Sequence, residues 1–232
     1  MQKPELSIVI PALNEAKNLE KLLRSIKLQN FPCEVIVADA GSKDDTASIA
    51  KRYGSTVIRG GRVAFGRNAG AKAASAERLL FLDADTQLPA GFLDYALKDI
   101  RNRKIEVAGV YVVPKNGQIV DHLAYWIGNA WMSMLENLKP CAQGIAIFSS
   151  KKVQKTIGGF DESITFGEDS DYVRRASKIA KFGMIRKPVY TSVRRFEKEG
   201  RLNCLLKYAY LNIYRSLKGE IRKDVNYKFD HY

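Results

Sequence analysis

Two aspartates in the segment FLDADT are the clearest candidates for chemistry in this chain. Asp83 and Asp85 directly follow a short apolar run. In an extended segment, side chains two residues apart point the same way, so both carboxylates can face one site. Like charges at a buried edge repel each other unless a cation lies between them, and Mg²⁺ or Mn²⁺ shared with phosphate oxygens suits such a pair. The alternative for this motif alone is a solvated turn.

Polar side chains also follow two earlier apolar runs, SIVI and EVIVA. Asn14 and Glu15 come after the first run, and Asp39 comes after the second. Ligands of an open parallel sheet bind beyond the carboxyl ends of its strands. Each of these residues alone fits a helix cap or a turn, and for the segment GSKDDT we favour that interpretation. Three such loops at one edge of a sheet indicate a binding site.

The elements that must position these residues alternate along the first half of the chain. Short apolar, β-branched runs predict strands at Leu6–Ile10, Glu34–Ala38, Ser55–Ile58, Leu79–Leu82 and Val107–Val113. Helical periodicity predicts helices at Asn18–Leu28, Thr46–Tyr53, Arg67–Ala76 and Phe92–Ile100. This alternation is typical of βαβ units, so we predict an α/β fold in which helices cover both faces of a mostly parallel central sheet.

The second half of the chain is less regular. It predicts helices at Val120–Leu135, Asp169–Ala180 and Leu202–Leu217, a strand at Gly144–Ser149 and an extended stretch near Met184–Val193. We predict a single domain over residues 1–200, followed by a C-terminal amphipathic helix and polar tail over residues 201–232.

The predicted C-terminal helix is amphipathic and basic. Its apolar positions share one helical face, namely Leu202, Leu206, Ala209, Ile213 and Leu217. We favour docking of this face onto the protein's own core, and the alternative is a helix that lies in a membrane surface. The apolar segment HLAYWIGNAWMSML leaves three interpretations open: a core helix, a homodimer contact or part of a lipid-facing groove.

Composition and charge limit the classes of protein to which this chain can belong. The 232 residues are 46% hydrophobic, which excludes wholesale disorder, and they carry a formal net charge of +13. Residues 1–150 contribute +4 and residues 151–232 contribute +9, so we expect an anionic partner. Three widely spaced cysteines suit a reducing cytoplasm. No apolar run predicts a transmembrane helix or a signal peptide, so we predict a cytoplasmic protein, with peripheral contact to the inner face of an anionic membrane as a further hypothesis.

Six segments taken together resemble family 2 glycosyltransferases with the GT-A fold. In chain order they are SIVIPALNE, VADAGSKDDT, GRNAG, FLDADT, GGFDE and GEDSDYVRRA. The resemblance runs from about Leu6 to Phe196. It implies a small, stand-alone, non-processive enzyme with a GT-A type three-layer sandwich. Such an enzyme transfers a sugar, with inversion and with Mn²⁺ or Mg²⁺ as cofactor, from a nucleotide-diphosphate sugar to a hydroxyl or lipid-phosphate acceptor.

The resemblance also implies roles for individual residues. The first motif would lie against the nucleoside through Pro11, Ala12, Asn14 and Glu15. In the next segments Asp39 would bind the base, and Arg67 would help to hold the nucleotide. In the FLDADT segment Asp83 would approach the ribose or the metal, Ala84 would lie against the donor, and Asp85 would coordinate the metal. Asp169 would be the general base.

The sequence departs from the family pattern in places. Leu13 stands where an aromatic residue is common, and Ala40 stands where a second polar residue is frequent. The QxxRW motif of processive members is absent, and Arg194 and Arg195 in roughly that region either bind the diphosphate or form an exposed basic turn.

Two other classes remain as alternatives. A sugar-phosphate nucleotidyltransferase would usually carry a glycine-rich loop after its first strand, where this chain has PALNEAKN. A non-enzymatic polyanion-binding domain is suggested by charge alone, and because the sharpest motifs are acidic we expect no nucleic-acid partner.

Overall fold

The computed structural model describes residues 4–222, so the predicted polar tail lies largely outside the described residues. Its strands are β1 (Leu6–Ala12), β2 (Cys33–Asp39), β3 (Thr56–Arg59), β4 (Arg78–Leu82), β5 (Val107–Lys115), β6 (Ala146–Ser150) and β7 (Phe182–Ser192). They form a seven-stranded sheet in the order β3-β2-β1-β4-β6-β5-β7. Only β6 runs antiparallel to its neighbours in this sheet.

Nine helices surround this sheet in the described part of the chain. They are α1 (Ala16–Lys27), α2 (Thr46–Arg52), α3 (Val63–Ala73), α4 (Phe92–Arg103), α5 (Ile119–Met134), α6 (Lys151–Thr156), α7 (Glu168–Ala176), α8 (Arg194–Glu199) and α9 (Arg201–Lys218).

Alternating side chains of the strands build a core on each face of the sheet. On β1, Ile8 and Ile10 pack with residues of α1, α2 and α4, whereas Val9 packs on the other face with residues of α3, α6 and α7. Strands buried on both faces read as near-continuous apolar runs, as in LLFL of β4 and in SIVI of β1, whose one polar residue, Ser7, is buried and hydrogen-bonded. The result is the predicted three-layer α/β arrangement.

Close packing of α3 on β1 depends on Gly70. A Cβ atom at this position would lie 2.2 Å from the Cγ1 of Val9, which no side chain can tolerate. The glycine therefore lets the helix approach the strand, and this approach sets the position of Arg67 one turn earlier on α3.

The parallel register brings the predicted polar loops to one edge. Ala12 at the end of β1 lies beside Asp39 at the end of β2, and Val9 pairs with Phe81 of β4. The loops after β1, β2 and β4 therefore leave the sheet together, as expected from the sequence.

The strands and helices predicted from the first half of the chain are confirmed to within a few residues. Two short helices were not predicted. One is α6, and the other is α8, where the sequence suggested a diphosphate-binding segment or a basic turn. Helix α8 consists of six charged and aromatic residues, which show no apolar periodicity and so gave no signal for a helix. Gly200, with a φ of 85°, separates α8 from α9. The division of the chain after residue 200 stays a prediction.

The orientation of α9 contradicts one expectation. Cys204 and Leu211 of this helix are buried, whereas Leu206 and Ile213 of the predicted apolar face point outward and are 62% and 60% exposed. The prediction that this face docks onto the core is therefore wrong. Within residues 4–222 no helix is both long enough and apolar enough to cross a membrane.

Candidate active site

A cleft opens at the carboxyl ends of β1 and β4. It is open to solvent on one side. Its walls come from three loops and comprise Pro11, Ala12, Leu13, Glu15, Gly61, Arg62, Val63, Asp83, Ala84 and Asp85. Six of these wall residues were predicted from the sequence to bind the nucleotide sugar or the metal, namely Pro11, Ala12, Glu15, Asp83, Ala84 and Asp85.

The guanidinium of Arg67 joins the floor of this cleft to two other segments. Its Nη2 donates to Asp83 Oδ1 at 2.8 Å and to the Gly144 carbonyl oxygen at 2.7 Å, and its Nη1 donates to Glu168 Oε1 at 3.0 Å. The Phe160 ring lies 5.2 Å from the guanidinium carbon. Arg67 is only 1% exposed, so its charge acts on the cleft through these two carboxylates.

Burial perturbs both aspartates of the FLDADT segment. It raises the pKa of Asp83, and the adjacent Arg67 opposes that rise. Burial raises the pKa of Asp85 to about 7, with further contributions from the negative charges of Asp83 and Glu15. Since crowded, buried carboxylates resist ionisation, a cation placed among them would be favoured.

Glu15 is the third carboxylate of the cleft and is held on several sides. Its backbone N–H donates to Thr46 Oγ1 at 2.8 Å, and its Oε2 accepts from Asn18 Nδ2 at 2.7 Å. Arg194 of α8 reaches across to it, with Nη2 2.5 Å from Oε1. This ion pair brings α8 to the mouth of the cleft.

Arg195 also contributes to the electrostatics of the cleft. Its Nη1 donates to the hydroxyl of Tyr208 on α9 at 2.6 Å. The charges of Arg194 and Arg195 both lower the pKa of Asp85, although burial dominates. The structure thus brings the two predicted arginines close to Asp85, a predicted metal ligand.

The amino terminus of α7 forms the far side of the site. Gly167 precedes it with a φ of 79°, and three acidic residues occupy its first turn, where the helix dipole favours negative charge. Burial and the neighbouring Asp169 raise the pKa of Glu168 to about 7, and Arg67 opposes the rise. Asp171 instead pairs with Arg174 and Arg175, both at 2.7 Å, and so faces away from Arg67.

Asp169 is packed closely against Gly144, in the turn that leads into β6. Its Oδ1 accepts from the Ser170 backbone N–H at 2.6 Å. A Cβ atom at Gly144 would lie 2.7 Å from Asp169 Oδ2 and 3.0 Å from Arg67 Nη2. Gly144 therefore makes room for both side chains. No local sequence pattern predicts this role.

Asn14 and Asp39 lie next to the cleft and are not among its wall residues. The Asn14 backbone N–H donates to Ser42 Oγ at 2.9 Å, and its Oδ1 accepts from the Lys43 N–H at 2.8 Å. Asp39 Oδ1 accepts from Ser42 Oγ at 2.5 Å. These bonds fasten the loop after β1 to the loop after β2.

The sequence analysis missed two parts of the site. Glu168 was not predicted as a site residue, because its bond to Arg67 joins residues 101 positions apart. Gly61 and Arg62 of the loop after β3 and Val63, the first residue of α3, also line the cleft and were not predicted.

The donor atoms of the cleft suit a hard divalent cation that is shared with a ligand. Among residues 4–222, no three His, Cys, Asp or Glu side chains converge as a complete metal site. Asp83 Oδ1 is already bound by Arg67, which leaves Asp85 as the accessible carboxylate. Mg²⁺ and Mn²⁺ prefer oxygen ligands, and Mg²⁺ commonly combines one or two carboxylates with phosphates and waters. The residues therefore fit a metal that also binds phosphate.

Comparison with known proteins relates this chain to sugar transferases. The model of the family described as "Glycosyl transferase family 2" matches residues 7–155. Glycosyltransferase AglE of Haloferax volcanii is 26% identical over 192 residues, which cover 75% of this chain and 62% of AglE. A 4,4'-diaponeurosporenoate glycosyltransferase of Staphylococcus aureus is 51% identical over 53 residues, 23% of this chain and 14% of that protein. The chain thus spans less than two thirds of each of these relatives.

Solved structures share the same fold. The mannosyltransferase PcManGT from Pyrobaculum calidifontis, in complex with GDP-Man and Mn²⁺, superposes with a TM-score of 0.67 at 21% identity, over 83% of this chain and 58% of that one. S. aureus TarS 1-349 in complex with UDP-GlcNAc gives 0.65 at 22% identity, over 81% and 58% of the two chains. These likenesses confirm the predicted GT-A architecture.

Proposed function

Because the chain belongs to glycosyl transferase family 2, we propose that it is a metal-dependent, inverting glycosyltransferase whose donor is a nucleotide-diphosphate sugar. The observation that carries this proposal is the cluster of one buried and two half-buried carboxylates at the carboxyl end of the sheet. In the described part of the chain, Glu15, Asp83 and Asp85 surround one cleft, and Asp85 has a pKa of about 7. Such a cluster is stabilised by a divalent cation with a bound diphosphate.

The nucleoside would lie against the loop after β1. Pro11, Ala12 and Ala84 present small, mostly apolar walls to the cleft, which a flat base and a ribose can contact closely. Asp39 ends β2 beside Ala12 and can accept a hydrogen bond from the base. Asn14 would support this arrangement by holding the loop after β2.

Asp85 would be the principal metal ligand, and Asp83 would offer its second carboxylate oxygen to the metal or the ribose. The metal would neutralise the charge that develops on the leaving diphosphate. Arg194 and Arg195 can reach the same phosphates, since both already act on Asp85. Arg67 would act indirectly, by fixing Asp83 and Glu168.

Asp169 would be the general base. In the proposed step the acceptor oxygen attacks the anomeric carbon on the face opposite the diphosphate, and Asp169 takes the proton of that oxygen. The new carbon–oxygen bond forms as the bond between the anomeric carbon and the diphosphate oxygen breaks, so the configuration inverts. The packing of Asp169 against Gly144 supports this role because it holds the carboxylate beside the Arg67 network.

We propose a hydroxyl or lipid-phosphate acceptor. Support for a lipid-linked acceptor comes from the exposed apolar residues of α5 and α9. Tyr208 of α9 is hydrogen-bonded to Arg195, and Tyr125 of α5 lies within electrostatic reach of Asp85. The same helices are the candidate sites of the hypothesised homodimer and membrane contacts, and the proposed location is the cytoplasm, at the inner face of the membrane.

The test separates donor binding from transfer. In Asp169→Asn we expect donor affinity in the presence of Mn²⁺ to change less than about twofold, while turnover falls by roughly 10²–10⁴-fold. Calorimetry with UDP, GDP and dTDP sugars measures the first quantity, and release of the nucleoside diphosphate measures the second.

The matched control is Asp94→Asn, which changes an exposed first-turn aspartate of α4 and should alter neither quantity. Unchanged turnover in Asp169→Asn would remove Asp169 from the mechanism. Absence of donor binding by the wild-type protein would overturn the proposed function itself.

A further inference from the structure

Helix α9 turns a row of apolar side chains away from the protein. The four largest, Leu202, Leu206, Ile213 and Leu217, recur at helical spacing and are all at least 60% exposed. The opposite side of the helix is held by buried Cys204 and Leu211 and by the bond from Arg195 to Tyr208. The exposed row is therefore not the side by which α9 attaches to the body.

Helix α5 exposes a second apolar row. Its members are Ile119, Val120, Leu123, Trp126, Ile127, Trp131 and Met134. The acidic residue of α5, Asp121, is buried, so this row presents no charge. We call the exposed apolar residues of α5 and α9 together the α5/α9 surface.

The two helices meet beside the cleft. Arg201 at the start of α9 donates two hydrogen bonds to Asp121 of α5, at 2.9 and 3.0 Å. The ring of Tyr125 lies 6.0 Å from the ring of Phe196 on α8. The inward side of α5 approaches Asp85, whose charge contributes to the raised pKa of Tyr125. The α5/α9 surface is thus the outer side of two helices whose inner sides border the site.

The net charge around this surface favours an anionic partner over a second copy of the chain. Residues 194–222 carry eight basic and three acidic side chains, a formal net charge of +5, and α9 itself contains no carboxylate. Five of the eight basic side chains are held in ion pairs with carboxylates of the chain. Two copies of the chain joined through α9 about a twofold axis would bring these like charges together, which disfavours a dimer. An anionic surface would be attracted instead.

From this juxtaposition we infer that the α5/α9 surface binds an anionic phospholipid bilayer, with its leucines, isoleucines and tryptophans in the interfacial region. Tryptophan and tyrosine side chains favour the level of the lipid headgroups, and a basic amphipathic helix can lie in that plane without crossing the bilayer. This inference rests on the proposed function only in assigning the bilayer as the source of a lipid-linked acceptor. Binding of the α5/α9 surface to the bilayer does not require sugar transfer.

The tryptophans provide a direct readout. The chain contains two, Trp126 and Trp131, and both are exposed on α5, by 66% and 57%. We expect their fluorescence to shift to shorter wavelength, and quenching by acrylamide to fall, when the full chain is mixed with phosphatidylglycerol-containing vesicles. Neutral phosphatidylcholine vesicles should give a weaker effect, and raising NaCl from 0.1 to 0.5 M should weaken binding to the anionic vesicles.

A matched pair of variants tests the surface. Leu206→Asp/Ile213→Asp should lower the vesicle partition coefficient by about tenfold or more in a flotation assay. Leu28→Asp makes the same type of change at an exposed leucine after α1 and should have little effect. Both variants should retain the wild-type circular dichroism, since the substituted side chains face solvent.

Three results would overturn the inference. The first is absence of flotation and of any fluorescence shift with anionic vesicles. The second is equal binding by wild type and Leu206→Asp/Ile213→Asp. The third is a concentration-dependent shift without vesicles, with a dimer in light scattering, which would identify a second copy as the partner. Donor binding by calorimetry is measured separately, so failure at the membrane is distinguishable from failure of the proposed function.

Discussion

At the residue scale, Arg67 shows how tertiary contacts change the meaning of a motif. Within GRNAG it resembles a nucleotide-binding arginine, yet its guanidinium is buried among Asp83, Glu168 and the Gly144 carbonyl. A complete buried ion pair contributes little to the free energy of unfolding. Removal of one partner is costly, because it leaves the other charge buried without compensation. The role of Arg67 in holding the nucleotide stays a prediction, and its role in joining β4 to α7 follows from its bonds.

This geometry predicts a large loss of stability in Arg67→Met. We expect the free energy of unfolding at pH 7 to fall by about 3–5 kcal/mol, and by less at pH 5, which lies below the pKa of about 7 of Glu168. Urea denaturation at both pH values measures the effect. The control is Arg52→Met, whose exposed ion pair with Glu20 spans 3.4 Å and should be worth less than about 1 kcal/mol. A similar small loss in both variants would contradict the burial argument.

The pKa of Asp85 predicts a pH-dependent effect. Its rise from 3.8 to about 7 means that, between these values, the native state binds more protons than the unfolded state. Stability therefore decreases as pH rises through this window, and the full penalty is present above pH 7. Asp85→Asn removes the penalty.

We accordingly expect Asp85→Asn to be more stable than the wild type at pH 8 by roughly 1–3 kcal/mol, with little difference at pH 4. Urea denaturation in EDTA tests this in the metal-free protein. Equal stability of the two proteins at pH 8 would show that Asp85 ionises there without cost.

At the element scale, α9 is an amphipathic helix whose apolar side faces solvent and not the core of the protein. Its regular apolar row is exposed, while the attachment to the body uses Cys204, Leu211 and polar bonds such as Arg195 to Tyr208. A helical wheel identifies the apolar face but not the object that covers it.

The two leucines on opposite sides of α9 should therefore respond differently to truncation. Leu211→Ala, at a position that is 1% exposed, should cost about 2–3 kcal/mol and increase hydrogen exchange along α9. Leu206→Ala should change stability by less than about 0.5 kcal/mol. Urea denaturation and native-state exchange provide the measurements, and equal costs at the two sites would contradict the orientation of the helix.

At the scale of the whole molecule, the loops after β1, β2 and β4 converge because the strands they follow are parallel and adjacent. The cleft therefore lies at the edge of a rigid sheet, and its carboxylates come from separate elements. A ligand that bridges these elements should stabilise the entire fold.

We expect Mn²⁺ together with the correct nucleoside diphosphate to add about 2.7 kcal/mol at a hundredfold excess over the dissociation constant. For a chain of this size the melting temperature should rise by roughly 5–10 °C. Differential scanning calorimetry measures the shift, EDTA should remove its metal-dependent part, and Asp85→Ala should do the same. A shift that persists in both cases would argue against a metal at Asp85.

The sequence by itself determined the local patterns. Continuous apolar runs specified the buried strands, helical periodicity specified most helices, and the order of six motifs indicated the family, because these signals are carried by neighbouring residues. It also placed Asp83, Asp85 and Glu15 at one edge, since parallel strands share their carboxyl ends.

Only the tertiary structure decided which distant groups touch. The bond of Arg67 to Glu168, the ion pair between Arg194 and Glu15, and the space left by Gly144 join positions far apart in the chain. The outward turn of α9 was likewise decided by packing. Such contacts depend on how helices settle on the sheet, and no local periodicity encodes that choice.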